Sequence, residues 1–93
     1  MTVVVNPATE ETIAEVPGAT VEEADRVIEA ARQAFPAWRS VSPSDRARLL
    51  RRLGDLVEEH GEELARLETR NVGKPISDSR GEVAMVAGKW WLG

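Results

Sequence analysis

Two helix starts and three helix stops, written in residues with little conformational choice, limit this chain more than any other feature. Thr20-Val21-Glu22-Glu23 is a capping box: the threonine hydroxyl accepts from the amide three residues on, and Glu23 reaches back. Behind it Ala24, Val27, Ile28, Ala31 and Phe35 recur at helical spacing, predicting a helix over about 20–35 that ends near Phe35-Pro36. Ser42-Pro43-Ser44-Asp45 opens a second helix, with a serine cap, proline in the first turn and an aspartate against the positive end of the dipole. Its stripe is Leu49, Leu50, Leu53, Leu56 and Val57, and the helix runs over about 43–60 to the His60-Gly61 break. Leu64 and Leu67 are expected to face inward on a third helix, 61–72, closed by Gly73 and blocked by Pro75. A last helix, 77–92, carries Val83, Val86, Ala87, Trp90 and Trp91 on one stripe.

Ahead of the helices, Thr2 to Val5 is a β-branched run halted by Asn6-Pro7, and Glu11 to Val16 alternates weakly before Pro17-Gly18. The two pair as a hairpin over 2–16, which needs something to pack against. The expected architecture is a short β-hairpin followed by about four helices, mostly α. Natural domain ends are usually polar, so a stripe that widens to Trp90 and Trp91 expects more protein against it, and the ending reads as a truncation.

A chain of 93 residues buries only about 60–65% of its extended surface, so stability on its own is marginal. With no cysteine, it has neither a disulfide framework nor a thiol nucleophile. Twelve basic against 16 acidic residues, a net charge of −4, argue against nucleic acid and against an anionic membrane surface as partners. No apolar stretch approaches the ~20 residues needed to span a bilayer. The first six residues lack a basic leader, so a cytoplasmic protein is expected.

Candidate chemistry meets a plainer explanation at each position. Arg46, Arg48, Arg51 and Arg52 form the basic cluster, but on a helix they fan over an outer face, where Arg51 and Arg52 lie within pairing distance of Asp55. His60 has acidic neighbours, Glu58, Glu59, Glu62 and Glu63, and is explained by the negative end of a helix dipole. The glutamates lack the spaced oxygens of a calcium loop. Gly73-Lys74-Pro75 is not a phosphate loop, because position 68 is Glu and position 75 is Pro where the pattern needs glycine and a hydroxyl. Nor does a Gly-x-Gly-x-x-Gly dinucleotide fingerprint occur in the chain.

Four landmarks in order do carry information. They are Asn6-Pro7-Ala8-Thr9-Glu10-Glu11, then Ala30 to Trp38, then Ser42 to Leu50, then Leu67-Glu68-Thr69-Arg70-Asn71-Val72-Gly73-Lys74-Pro75-Ile76. Together, and with the segment from Arg80 to Gly93, they resemble the amino-terminal part of the NAD(P)-dependent aldehyde dehydrogenase superfamily. The resemblance implies an α/β family fold, with this chain as the opening layer of its cofactor-binding domain. It implies NAD or NADP as cofactor, homo-oligomeric assembly, and oxidation of an aldehyde to a carboxylic acid through a cysteine thiohemiacetal. The family's cysteine, glutamate and dinucleotide fingerprint lie beyond Gly93, so no catalytic or cofactor residue carries over and the chain alone is expected to be inactive. Some relatives hold a monovalent cation with a backbone oxygen before Asn-Pro and an acid before the Gly-Lys-Pro turn. The matching positions are Val5 and Asn71, where a neutral amide replaces the acid and weakens the attraction.

The partners so implied are the remainder of the parent subunit or a homologous subunit. A rival reading is an autonomous helical interaction module using the stripe Val83, Val86, Trp90 and Trp91. A third is a reading frame with no selected function.

Overall fold

The computed structural model describes residues 1–88, and within them a two-stranded antiparallel sheet is followed by four helices. Strand β1 (Thr2–Val5) pairs with β2 (Thr12–Val16), Thr2 opposite Val16 and Val4 opposite Ala14, with an irregularity between Val4 and Val5. The loop between them is held by its own polar groups. Asn6 Oδ1 accepts from the Ala8 amide at 2.9 Å, and the Asn6 amide donates to the Glu11 carbonyl at 2.9 Å. Glu10 takes φ 63°, the left-handed conformation that closes the loop.

Helix α1 (Val21–Ser40) starts on the expected capping box: Glu23 N donates to Thr20 Oγ1 at 3.1 Å, and Thr20 N donates to Glu23 Oε2 at 3.0 Å. Its end differs from expectation, since α1 runs through Pro36 to Ser40. Proline has a helical φ, and although it forfeits one backbone hydrogen bond and crowds the carbonyl four residues earlier, that cost can kink a helix without ending it. The stop comes at Val41 and Ser42, both extended, where Pro43 excludes helical geometry for the residue before it.

Helix α2 (Pro43–Glu59) is capped by Ser42, whose Oγ accepts from Asp45 N at 3.2 Å. His60 ends it and precedes α3 (Gly61–Val72). Gly73, at φ 77°, closes α3 in the left-handed conformation, its amide donating to Thr69 O at 2.9 Å. Helix α4 (Ile76–Ala87) follows, and the part of the expected helix beyond Gly88 lies outside the described residues.

Helices α3 and α4 make the closest pair, with α2 against α4. The residues buried there are small: Ala65 and Ser79 are both fully covered, and Gly54 is buried in α2. The leucines expected to face inward do not. Leu64 remains 38% exposed and Leu67 46%, because small residues bring α3 and α4 together and leave the leucines along the side of the junction. The whole is a slab of 48 × 36 × 16 Å with a radius of gyration of 17.2 Å. A compact globule of this length would have about 12 Å. Helix α1 has no buried residue.

Candidate functional site

The part of the chain richest in organised polar groups is the junction of α3 and α4 with the hairpin loop. The turn from Gly73 to Pro75 reverses the chain, so the last turn of α3 lies beside the first turns of α4. Across that junction Thr69 Oγ1 and Ser79 Oγ share a hydrogen bond of 2.8 Å, which satisfies the buried serine. Lys74 in the turn donates to Glu82 and forms an ion pair with Glu68 Oε1 at 3.6 Å. The hydrogen bond to Glu82 raises the Lys74 ammonium above its ordinary value, and both carboxylates add to that attraction.

Further along the same pair, Arg80 Nε and Nη2 donate to the two oxygens of Glu62, at 2.9 and 2.7 Å. Arg66 Nε donates to the same carboxylate at 2.9 Å. Hydrogen bonding to Arg80 first, then to Arg66, holds the Glu62 carboxyl down to about 2. These ions fasten α3 to α4. No group of three histidine, aspartate or glutamate side chains placed to hold a metal occurs among the described residues.

Beside the ion pairs a groove of about 450 Å³ runs between α2, α3 and α4. Val57, Leu64, Leu67, Val83 and Val86 give it an apolar wall, with Glu68, Asn71 and Glu82 along it. Its carboxylates repel a diphosphate, and the neighbouring lysine is already paired with them. These residues therefore do not fit a dinucleotide, and the groove serves packing better than chemistry.

The hairpin meets α3 at its end. A Cβ placed on Gly73 would lie 3.0 Å from Pro7 Cγ, so the proline ring sits directly over the glycine cap. The proposed cation positions Val5 and Asn71 each lie two residues before this contact, on the two stretches it joins. Asn71 turns its amide inward along its own helix, Nδ2 donating to Leu67 O at 2.8 Å, which leaves Oδ1 as an acceptor. Val5, at the end of β1, is 43% exposed.

The remaining candidates lie apart. Arg48 pairs with Asp45 at 2.9 Å, and among the described residues neither Arg51 nor Arg52 bridges to Asp55 as the spacing suggested. His60 Nδ1 lies 3.4 Å from Glu63 Oε2 in an exposed position at the α2 end. Val83 is half-buried in the groove and Val86 is 47% exposed, while Trp90 and Trp91 of the same stripe lie outside the described residues. Sequence reasoning missed Ser79. A serine inside a helix pattern gives no sign that a threonine ten residues earlier will meet it.

Residues 1–90 match the family model described as the aldehyde dehydrogenase family. The chain is 48% identical over 82 residues to a glutarate-semialdehyde dehydrogenase of Pseudomonas aeruginosa, a match covering 88% of this chain and 17% of the relative. It is 44% identical over 89 residues to a phenylacetaldehyde dehydrogenase of Pseudomonas fluorescens, covering 94% of this chain and 18% of the relative. Among solved structures, betaine aldehyde dehydrogenase of Staphylococcus aureus in complex with NAD+ aligns with a TM-score of 0.91 at 33% identity, over 98% of this chain and 19% of that one. Glyceraldehyde-3-phosphate dehydrogenase of Methanocaldococcus jannaschii, complexed with NADP, gives 0.91 at 29% identity, over 99% and 20%. The chain thus spans about a fifth or less of the length of the proteins it matches.

Proposed function

The chain belongs to the aldehyde dehydrogenase family, and from that premise we propose that it is the opening layer of the cofactor-binding domain of an NAD(P)-dependent aldehyde dehydrogenase subunit. One observation carries the reading. Nearly the whole chain superposes on solved dehydrogenases, yet it is a slab 16 Å thick whose one fully buried apolar residue among those described is Ala65. A layer of that thickness has no second layer to bury its leucines, and two packed layers are the ordinary minimum for a domain. The remainder of a subunit supplies it, covering the groove walled by Val57, Leu64, Leu67 and Val86.

On this reading the residues here do scaffold work. The parent subunit, assembled as a homo-oligomer, oxidises an aldehyde to a carboxylic acid with NAD or NADP, using a cysteine that these 93 residues do not contain. The chain by itself is inactive. The test is a graft in which residues 1–90 replace the matching segment of the P. aeruginosa relative. The expected result is a folded chimera that still reduces nicotinamide with its aldehyde, and a folded chimera without activity would overturn the reading.

A monovalent cation site at the Val5 carbonyl and the Asn71 side chain belongs to the same proposal. Its support is the negative end of the α3 dipole at Gly73, the Oδ1 of Asn71, which accepts from no donor among the described residues, and the Pro7–Gly73 contact that joins the two stretches. Titration with potassium should raise the thermal midpoint of the chimera more in Asn71→Asp than in the parent. Equal responses to potassium in the two proteins would remove the site.

A further inference from the structure

Helix α1 has 20 residues, none of them buried, and among the described residues it packs against no other element to any extent. In proteins most of a helix's stability comes from packing an apolar face, and α1 has no such packing among those residues. The apolar positions that such packing would use are Val21, Ala24, Ile28, Ala31, Phe35 and Trp38, separated by alternating steps of three and four. That is the spacing of a coiled-coil seam. All six are exposed, Val21 at 73%, Ile28 at 67% and Phe35 at 57%. Pro36 falls outside the seam.

We infer that in the chain on its own this seam is a self-association surface, on which α1 of a second copy packs antiparallel. The sizes of the side chains select both partner and direction. Run antiparallel, the layers pair Val21 with Trp38, Ala24 with Phe35 and Ile28 with Ala31, a large residue meeting a smaller one in each. Run parallel, Phe35 and Trp38 crowd against their own copies at one end, while Ala24 leaves a gap near the other. Charge agrees with the antiparallel arrangement. It sets Asp25 beside the seam opposite Arg39 of the second copy, one pair at each end. Arg39 already lies along the seam, its guanidinium 5.6 Å from the centre of the Phe35 ring. Arg32, which falls near its own copy at the middle, is neutralised within its helix by Glu29 at 2.6 Å.

This inference concerns the isolated chain and does not depend on the enzyme reading, so the graft can succeed or fail independently of it. Sedimentation equilibrium of the full 93-residue chain should show a species of twice the 10.2 kDa chain mass. Asp25→Arg alone and Arg39→Asp alone should each weaken association about tenfold or more, because each sets like charges opposite one another. An equimolar mixture of the two variants should regain it, since each arginine then faces an aspartate. A chain that stays monomeric, or variants that associate as the parent does, or a mixture that regains nothing, would each overturn the proposal.

Discussion

Arg80 of α4 reaches back across 18 residues to Glu62 of α3 and meets its carboxylate with two parallel hydrogen bonds, at 2.9 and 2.7 Å. The fork of the guanidinium matches the two carboxylate oxygens, which fixes the rotation of α4 on α3 as well as their distance. Arg66 completes the cluster from within α3.

The cluster gives the protein an acid-sensitive joint. Because the Glu62 carboxyl titrates at about 2 in the folded chain instead of near 4.5, the unfolded chain binds the extra proton first as pH falls. The stabilisation from Glu62 is therefore complete above about 4.5 and disappears as pH falls through about 2. Glu62→Gln should flatten the loss of stability across that window, measured by circular dichroism during urea unfolding at stepped pH. Since Glu62 and Arg80 are both about half exposed, added salt should narrow the difference between the two proteins. Identical pH dependence in parent and variant would contradict the assignment.

Ser79 and Ala65 set how closely α3 and α4 approach, as the fully covered side chains at their junction. Ser79→Ala deletes one partner of the 2.8 Å hydrogen bond to Thr69 and should cost about 1 kcal/mol. Ala65→Leu inserts three carbons where no space exists and should cost more, about 1–3 kcal/mol. Chemical denaturation of both variants checks the order of the two effects.

Gly73→Ala should cost about 1–2 kcal/mol in the same assay, since the residue sits at φ 77°. The new methyl would also press on Pro7 Cγ at 3.0 Å. Removing that ring as well, in the double variant with Pro7→Ala, should recover part of the loss but not the part owed to φ. Full recovery would mean that the backbone conformation carries no cost.

Thr20→Ala should cost about 1 kcal/mol, because it removes the acceptor for the Glu23 amide and opens the capping box. Among the described residues helix α1 lacks packing against other elements, so the loss should appear as fraying of that helix by amide exchange. Protection in α3 and α4 should stay unchanged.

Local chemistry was the legible part of this molecule. Thr20 with Glu23, Ser42 with Pro43, and Gly73 with Pro75 act through atoms within a few residues of one another, so the cap and stop geometries follow from residue type. Pro36 misled, because a proline within a helix carries a finite cost and α1 continues past it to Ser40. Burial was hardest to read. Helical spacing identifies an apolar stripe but not what covers it, and Leu64, Leu67 and Phe35 keep 38%, 46% and 57% of their surface exposed. Small residues at positions 65 and 79 carry the tightest packing, and smallness in a sequence has no period that announces it. That the chain has no cysteine was plain from composition.

If, as proposed, this chain contributes scaffold and no chemistry of its own, nicotinamide reduction will show it. The purified 93-residue chain, given an aldehyde with NAD or NADP, should produce no reduced nicotinamide, while the graft of residues 1–90 into the P. aeruginosa relative should produce it with glutarate semialdehyde. Turnover by the isolated chain, or a folded graft that is silent, would rule the scaffold role out.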